Sequence, residues 1–208
     1  MSRLRFTKIT APDATASGKA ELYVSTDAAP GLRIVDDTTN FNISEITNTN
    51  VVAQSPAAAR AYIAGSDIHI PVSGLKVGTI LRWHLSVYKT SAGTATSVYD
   101  IAFGTAGTTA DTARVSFTKP AGSAAADEGT ILITAVVRTI GAAGVVAGQF
   151  TMTHNLASTG HMVIPSACVN TVSAGFDTTD ATHVGICITG GLNDAITLQV
   201  VTAEALNL

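Results

Sequence analysis

Between residues 139 and 208 the chain has neither lysine nor arginine, and its acids there are only Asp177, Asp180, Asp194 and Glu204. At the chain's own average, about four basic residues are expected in such a stretch. No membrane-spanning helix explains the deficit, because Thr, Ser, Asn and Gly interrupt every apolar run well short of the roughly 18 residues that spanning requires. Charged residues make up 13% of the whole chain, about half the usual quarter. A surface so poor in charge is one that other protein covers, which points to a subunit of an assembly.

Basic clusters are also missing. The net charge is −3, and the densest basic stretch is Arg3, Arg5 and Lys8, so the stripe that neutralises nucleic-acid phosphates is absent. The first residues carry positive charge with no apolar run behind it, unlike a secretory signal. The expected site of synthesis is a cytoplasm, with no partner among nucleic acids or membranes. The thiols are few: Cys168 and Cys187 are the two cysteines. A disulfide between them is conceivable, but both lie in strand-like runs and read better as small buried hydrophobes. Their spacing makes no metal knuckle.

Catalytic motifs are absent as well. None of His69, His84, His154, His161 and His183 forms the i, i+4 pair of a zinc-protease helix. His154 and His161 flank one loop and are close enough in sequence to meet across it. A metal shared there around a symmetry axis is the bold reading; hydrogen-bonded or solvated loop histidines are the better one. Asp127-Glu128 and Asp36-Asp37 are adjacent acids, but neighbours on a turn diverge, whereas glycoside hydrolysis needs two carboxyls facing one cleft. No Gly-x-Ser-x-Gly elbow occurs, and the glycines at 104–107 lack the Lys-Ser/Thr of a phosphate loop. Trp83 falls on an apolar strand face and reads as core, not as a sugar-stacking platform. The sequence therefore predicts no enzyme, no catalytic residue, no metal and no cofactor.

What is present is β-structure. Leu81, Trp83, Leu85 and Val87 alternate with Arg82, His84 and Ser86, a period of two with one apolar face. Tyr99, Ile101 and Phe103 repeat the pattern, as do Val115 and Phe117, and Ile131, Ile133, Ala135 and Val137. It continues with Val146, Gly148, Phe150 and Met152, residues 163–169, then Val184, Ile186 and Ile188, and finally Ile196, Leu198 and Val200. Glycine-rich turns separate the runs at the 8–15-residue spacing of a sandwich or barrel. About eight long strands follow residue 65. The predicted fold is all-β, a jelly-roll-like antiparallel β-sandwich, with an immunoglobulin-like sandwich as the second choice.

The segment before it differs. Residues 21–25 and 32–35 read as two short strands around a turn cluster at 27–31, a hairpin marginal on its own and expected to order by docking. Residues 40–50 are rich in Asn and Thr, with no period, and read as a linker. Ser55 and Pro56 then suit the N-cap and first turn of a two-turn helix stopped by Gly65. The predicted organisation is an extended arm and hairpin over 1–50, a linker with a short helix over 51–66, and a sandwich body over 67–208.

The stretch Gly18-Lys-Ala-Glu-Leu-Tyr23, followed by Gly31-Leu-Arg-Ile-Val-Asp-Asp37, resembles the opening of many tailed-bacteriophage structural proteins. The small-residue segments 89–100, 104–114 and 170–177 are similar to those of phage virion proteins of the decoration type. The resemblance spans most of the chain through motifs of low information content. It implies a virion protein assembled in the host cytoplasm, a homo-oligomer (a trimer by analogy) attached to the major capsid protein by its N-terminal arm. It implies a cement or head-fibre role, holding a capsid against internal pressure. A tail-fibre or receptor-binding head is the alternative, disfavoured because the chain lacks a long repetitive shaft. A jelly-roll glycan depolymerase is a third reading, without the acid pair it needs.

Overall fold

The computed structural model describes residues 46–208 apart from 71–73, 181 and 191–194, together with four backbone strands before residue 46. Those four are β1 (Lys8–Ile9), β2 (Glu21–Ser25), β3 (Leu32–Val35) and β4 (Asn40–Asn42). They form a sheet of their own in the order β1-β2-β3-β4, with β1 parallel to β2 and the rest antiparallel. The hairpin of residues 21–25 and 32–35 is thus present, with Leu22 opposite Ile34, and β4 extends it. The turn at 27–31 and the Asp36-Asp37 pair lie outside the described residues.

The body has eleven further strands: β5 (Ile46–Asn50), β6 (Ala61–Tyr62), β7 (Ile68–Ile70), β8 (Ile80–Lys89), β9 (Val98–Gly104), β10 (Thr112–Thr118), β11 (Asp127–Thr139), β12 (Val145–His154), β13 (Ser166–Val172), β14 (Thr182–Thr189) and β15 (Ile196–Leu206). One sheet runs β10-β9-β14-β6 with β7 also on β14; the other runs β13-β12-β11-β8-β15-β5. Within them β5 pairs with β15, β7 with β14, β8 with β11 and β9 with β10, all antiparallel. This nested pairing is an antiparallel ribbon rolled into two sheets, the jelly-roll arrangement. The β12–β13 hairpin is added outside the roll, on the free side of β11.

The alternating apolar positions face one another between the sheets, as expected from their period. Leu81, Trp83, Leu85, Ile101, Ile131, Ile133, Phe150 and Ile186 are fully buried. The Trp83 indole N–H donates to the Ser66 carbonyl at 2.7 Å, so the largest core side chain leaves no polar atom stranded. Tyr99 and Phe117 pack on Phe150 with ring centroids 5.3 and 5.4 Å apart. Gly148 makes room for this stack: a β-carbon there would stand 2.8 Å from Val115 Cγ1.

Four expectations are corrected. No helix follows Ser55 and Pro56; residues 55–60 run without regular structure into β6. A two-turn helix has little stability of its own, and here the backbone is bonded elsewhere: Gln54 bridges Leu198, and Ile63 N–H donates to Ile186. Residues 46–50 are not linker but the edge strand β5, so the jelly roll begins at Ile46 and not at residue 67. Val200 does not share a face with Ile196 and Leu198. The register shifts between Leu198 and Val200, which hands the core face to Val201, Ala203 and Ala205. Finally, β13 starts at Ser166, after Pro165, and Val163 and Ile164 are exposed.

A charge-poor sheet face and two polar knots

The outer face of the six-stranded sheet is built from the residues that alternate with the core. Strand register aligns them in rows across the sheet. One row is Asn170, Gln149, Thr134, Arg82, Glu204 and Thr47. The next is Cys168, Thr151, Leu132, His84, Thr202 and Thr49, and a third runs Ser166, Thr153, Thr130, Ser86 and Val200. The formal charges in these rows are Arg82 and Glu204, which neutralise each other at 2.6 Å. Glu128 and Arg138 stand near the two ends of β11. Shallow depressions of about 450, 480 and 400 Å³ open on this face. Among the described residues Tyr88 is its one carbocyclic aromatic, too little for a sugar-stacking platform.

At one end of the sandwich lies a buried polar knot. Lys89 and Lys119 are fully buried. Lys89 Nζ donates to the carbonyls of Thr90, Ser123 and Ala125 at 2.9, 2.7 and 2.7 Å. Lys119 Nζ donates to Ala95, Pro120 and His161 at 3.3, 2.9 and 3.1 Å. Each ammonium has three protons and meets three carbonyls, tying the loops after β8, β10 and β12 together. Beside them Asp127 Oδ2 contacts His154 Nδ1 at 2.6 Å and accepts the His161 backbone N–H at 3.0 Å.

His154 and His161 do approach each other, with ring centroids 6.1 Å apart, but neither is solvated: both side chains are buried. Asp127 is likewise not on a solvated turn. It opens β11 on the core-facing side, while its neighbour Glu128 points outward. Burial works to raise the Asp127 carboxyl, yet the His161 N–H and His154 outweigh it and hold the carboxyl below its ordinary value. Gly160 completes the knot: its φ is +89°, and a β-carbon there would collide with the Asp127 carboxylate.

Neither ring nitrogen of His161 has a hydrogen-bond partner among the described residues, and burial pushes its pKa down to about 4. The unfolded chain therefore takes up this proton first. His161's contribution is whole above pH 6.5 and declines as pH falls toward 4. Urea unfolding should register a loss of roughly 2 kcal/mol from this group between pH 7 and 5. His161→Phe should flatten that part of the profile; an unchanged slope would assign it to other groups.

A second polar knot lies on the other sheet. Arg60 makes two bonds to Asp100, at 2.9 and 2.6 Å, and reaches the carbonyls of Thr109 and Asp111. The Asp100 hydrogen bond raises the Arg60 pKa further. Asp67 accepts from the Tyr62 hydroxyl and contacts His183 Nδ1 at 2.9 Å, and His183 stacks on His69 at 4.4 Å. These contacts join the loop before β7 to β14 and to the β6 hydroxyl. His84 is exposed on the neutral face.

The two cysteines part company. Cys187 is buried, and burial with nearby Asp100 pushes its thiol up to about 12, which makes it inert. Cys168, expected to be buried, is exposed on β13, because its alternation places it on the outer face. Both are free thiols. Among the described residues no cluster of three or more His, Cys, Asp or Glu is placed to hold a metal ion, and no helix is long and apolar enough to cross a membrane. The elements missed by motif reasoning are Lys89, Lys119 and Arg60, whose roles depend on distant carbonyls and carboxylates.

No family model and no curated protein matches the sequence. Among solved structures, the chain is similar to the CBM2 module of the evolved Dit of Lactobacillus casei BL23 phage J-1. Identity is 12% and the TM-score 0.32, over 80% of this chain and 91% of that one. It is also similar to the fructofuranosidase of Schwanniomyces occidentalis complexed with fructose, at 9% identity and a TM-score of 0.26, over 91% of this chain and 40% of the enzyme. Likenesses this distant carry no argument about function.

Proposed function

We propose that the protein is a structural subunit of a bacteriophage particle, a homo-oligomer that decorates and stabilises the capsid and acts as no enzyme. The observation that carries this reading is the outer face of the six-stranded sheet. Across these three rows its formal charge is one internally neutralised pair, where a solvated surface is normally a quarter to a third charged. Such a face is stable when other protein lies on it. The sequence resemblance to phage virion proteins supplies the kind of assembly, and the separate N-terminal sheet of β1–β4 supplies an anchor to the major capsid protein. The acids of the body support a structural role too, since Asp67, Asp100, Asp127 and Glu204 are each engaged by a neighbouring side chain.

The test is a particle assembled without the protein. It should release its DNA at lower temperature than the complete particle while adsorbing to host cells equally well. Lost adsorption with unchanged particle stability would instead assign the protein to host recognition. Removing residues 1–45 should leave a folded body that no longer binds particles; retained binding would refute the anchor.

A further inference from the structure

The two body sheets end in four edges, and two of them are guarded. The β10 edge carries Arg114 and a register shift between Ala113 and Val115, both devices that discourage strand addition. The β6 and β7 edge has segments of two and three residues, while β5, five residues without charge, proline or bulge, is open but shorter than β13. The fourth edge, β13, runs seven residues in unbroken register with β12 and contains no charge, proline or bulge.

Its backbone is aimed outward at alternate residues. Pro165 and Ser173, at its two ends, bond to β12 through the Pro165 carbonyl and the Ser173 N–H. By antiparallel alternation, Ser166, Cys168, Asn170 and Val172 direct their N–H and C=O groups to the open side. The inward side chains Ala167 and Val169 pack on the core yet remain only partly buried, and Val172 is 50% exposed.

We infer that the β13 edge pairs antiparallel with β13 of a second copy of this chain, joining two six-stranded sheets into one. This rests on the homo-oligomer reading above and names its surface. The strand is its own complement. With Val169 on the two-fold axis, Cys168 meets Asn170 of the second copy, Ser166 meets Val172, and Ala167 meets Thr171, so inward residues face inward residues throughout. On the order of eight backbone hydrogen bonds form, and both copies of Val169 complete their burial. A second copy suits this edge because nothing charged stands beside it in the sheet rows to select an acidic or basic strand. Two neutral faces also meet without like-charge repulsion. Isologous pairing closes at two copies, so the assembly is a dimer or a multiple of two, in place of the trimer that the resemblance implies.

Light scattering of the full chain, with Asn170→Pro and the double variant Cys168→Lys, Val172→Lys, tests this. The proline removes an N–H aimed at the open edge and spares the β12 ladder; the lysines are natural edge guards. The native chain should have twice the monomer mass, or an even multiple, and each folded variant half the native mass. Should the proline variant fail to fold, the lysine variant decides. Amide exchange adds an independent readout: residues 166, 168, 170 and 172 should be protected in the native oligomer and exposed in the lysine variant, while 167, 169 and 171 stay protected in both. A native oligomer whose mass survives in the folded lysine variant, or a trimer with those four amides exchanging freely, overturns the edge pairing and leaves the homo-oligomer standing. A native chain that stays monomeric removes both.

Discussion

Lys89→Met is expected to destabilise the sandwich by about 3–5 kcal/mol, although it swaps a charged side chain in the interior for an apolar one of similar length. Removing the ammonium leaves the Ala125 carbonyl without its partner and takes one of two donors from the carbonyls of Thr90 and Ser123, which keep the N–H groups of Gly93 and Ala125, and it empties a fully buried side-chain position. Lys119→Met should behave alike, since it frees the carbonyls of Ala95, Pro120 and His161. For a chain of this size the loss corresponds to a fall in Tm of about 10 °C. Thermal unfolding of both variants at neutral pH measures it. A loss below about 1 kcal/mol would mean that the loops close the end of the sandwich without the lysines.

Leu132→Lys is expected to have the opposite profile: little effect on the fold and a large effect on assembly. Leu132 is 39% exposed at the centre of the neutral face, between Thr151 and His84. A lysine there keeps its charge in water in the free subunit, so the stability change should stay within about 0.5 kcal/mol. Covered by another protein surface with no acid opposite, the same charge is desolvated at a cost of several kcal/mol. Binding to particles that lack the protein should weaken by about 100-fold or more. An unchanged affinity would show that this face remains in water in the assembled state.

The same two-residue period made the strands legible and also held information that motif reading passed over. Leu81, Trp83, Leu85 and Val87 mark the inward side of β8, and the next residue of that parity is Lys89. Val115 and Phe117 lead in the same way to Lys119, and Ile131 counts back through Gly129 to Asp127. Parity alone thus places all three charged groups on the core side. Their partners are invisible in sequence because they are mostly backbone carbonyls of distant loops. Cys168 shows the converse: its neighbours suggest a buried strand, but alternation with Ala167 and Val169 puts it outside. The helix expected after Ser55 fails for a different reason, since Arg60 and Gln54 bind partners that approach only when the sheets form. The Val200 bulge breaks the period itself, and no local residue type announces it.

Cys168 offers the most direct measurement of the central claim, that the outer sheet face is covered by protein in the working assembly. Its thiol is exposed on that face in the isolated subunit, while Cys187 is buried in the opposite sheet. Under a thiol reagent, dissociated subunits should label at Cys168 alone, and assembled particles should leave Cys168 protected until they are taken apart. Equal labelling of Cys168 in particles and in free subunits would contradict the claim.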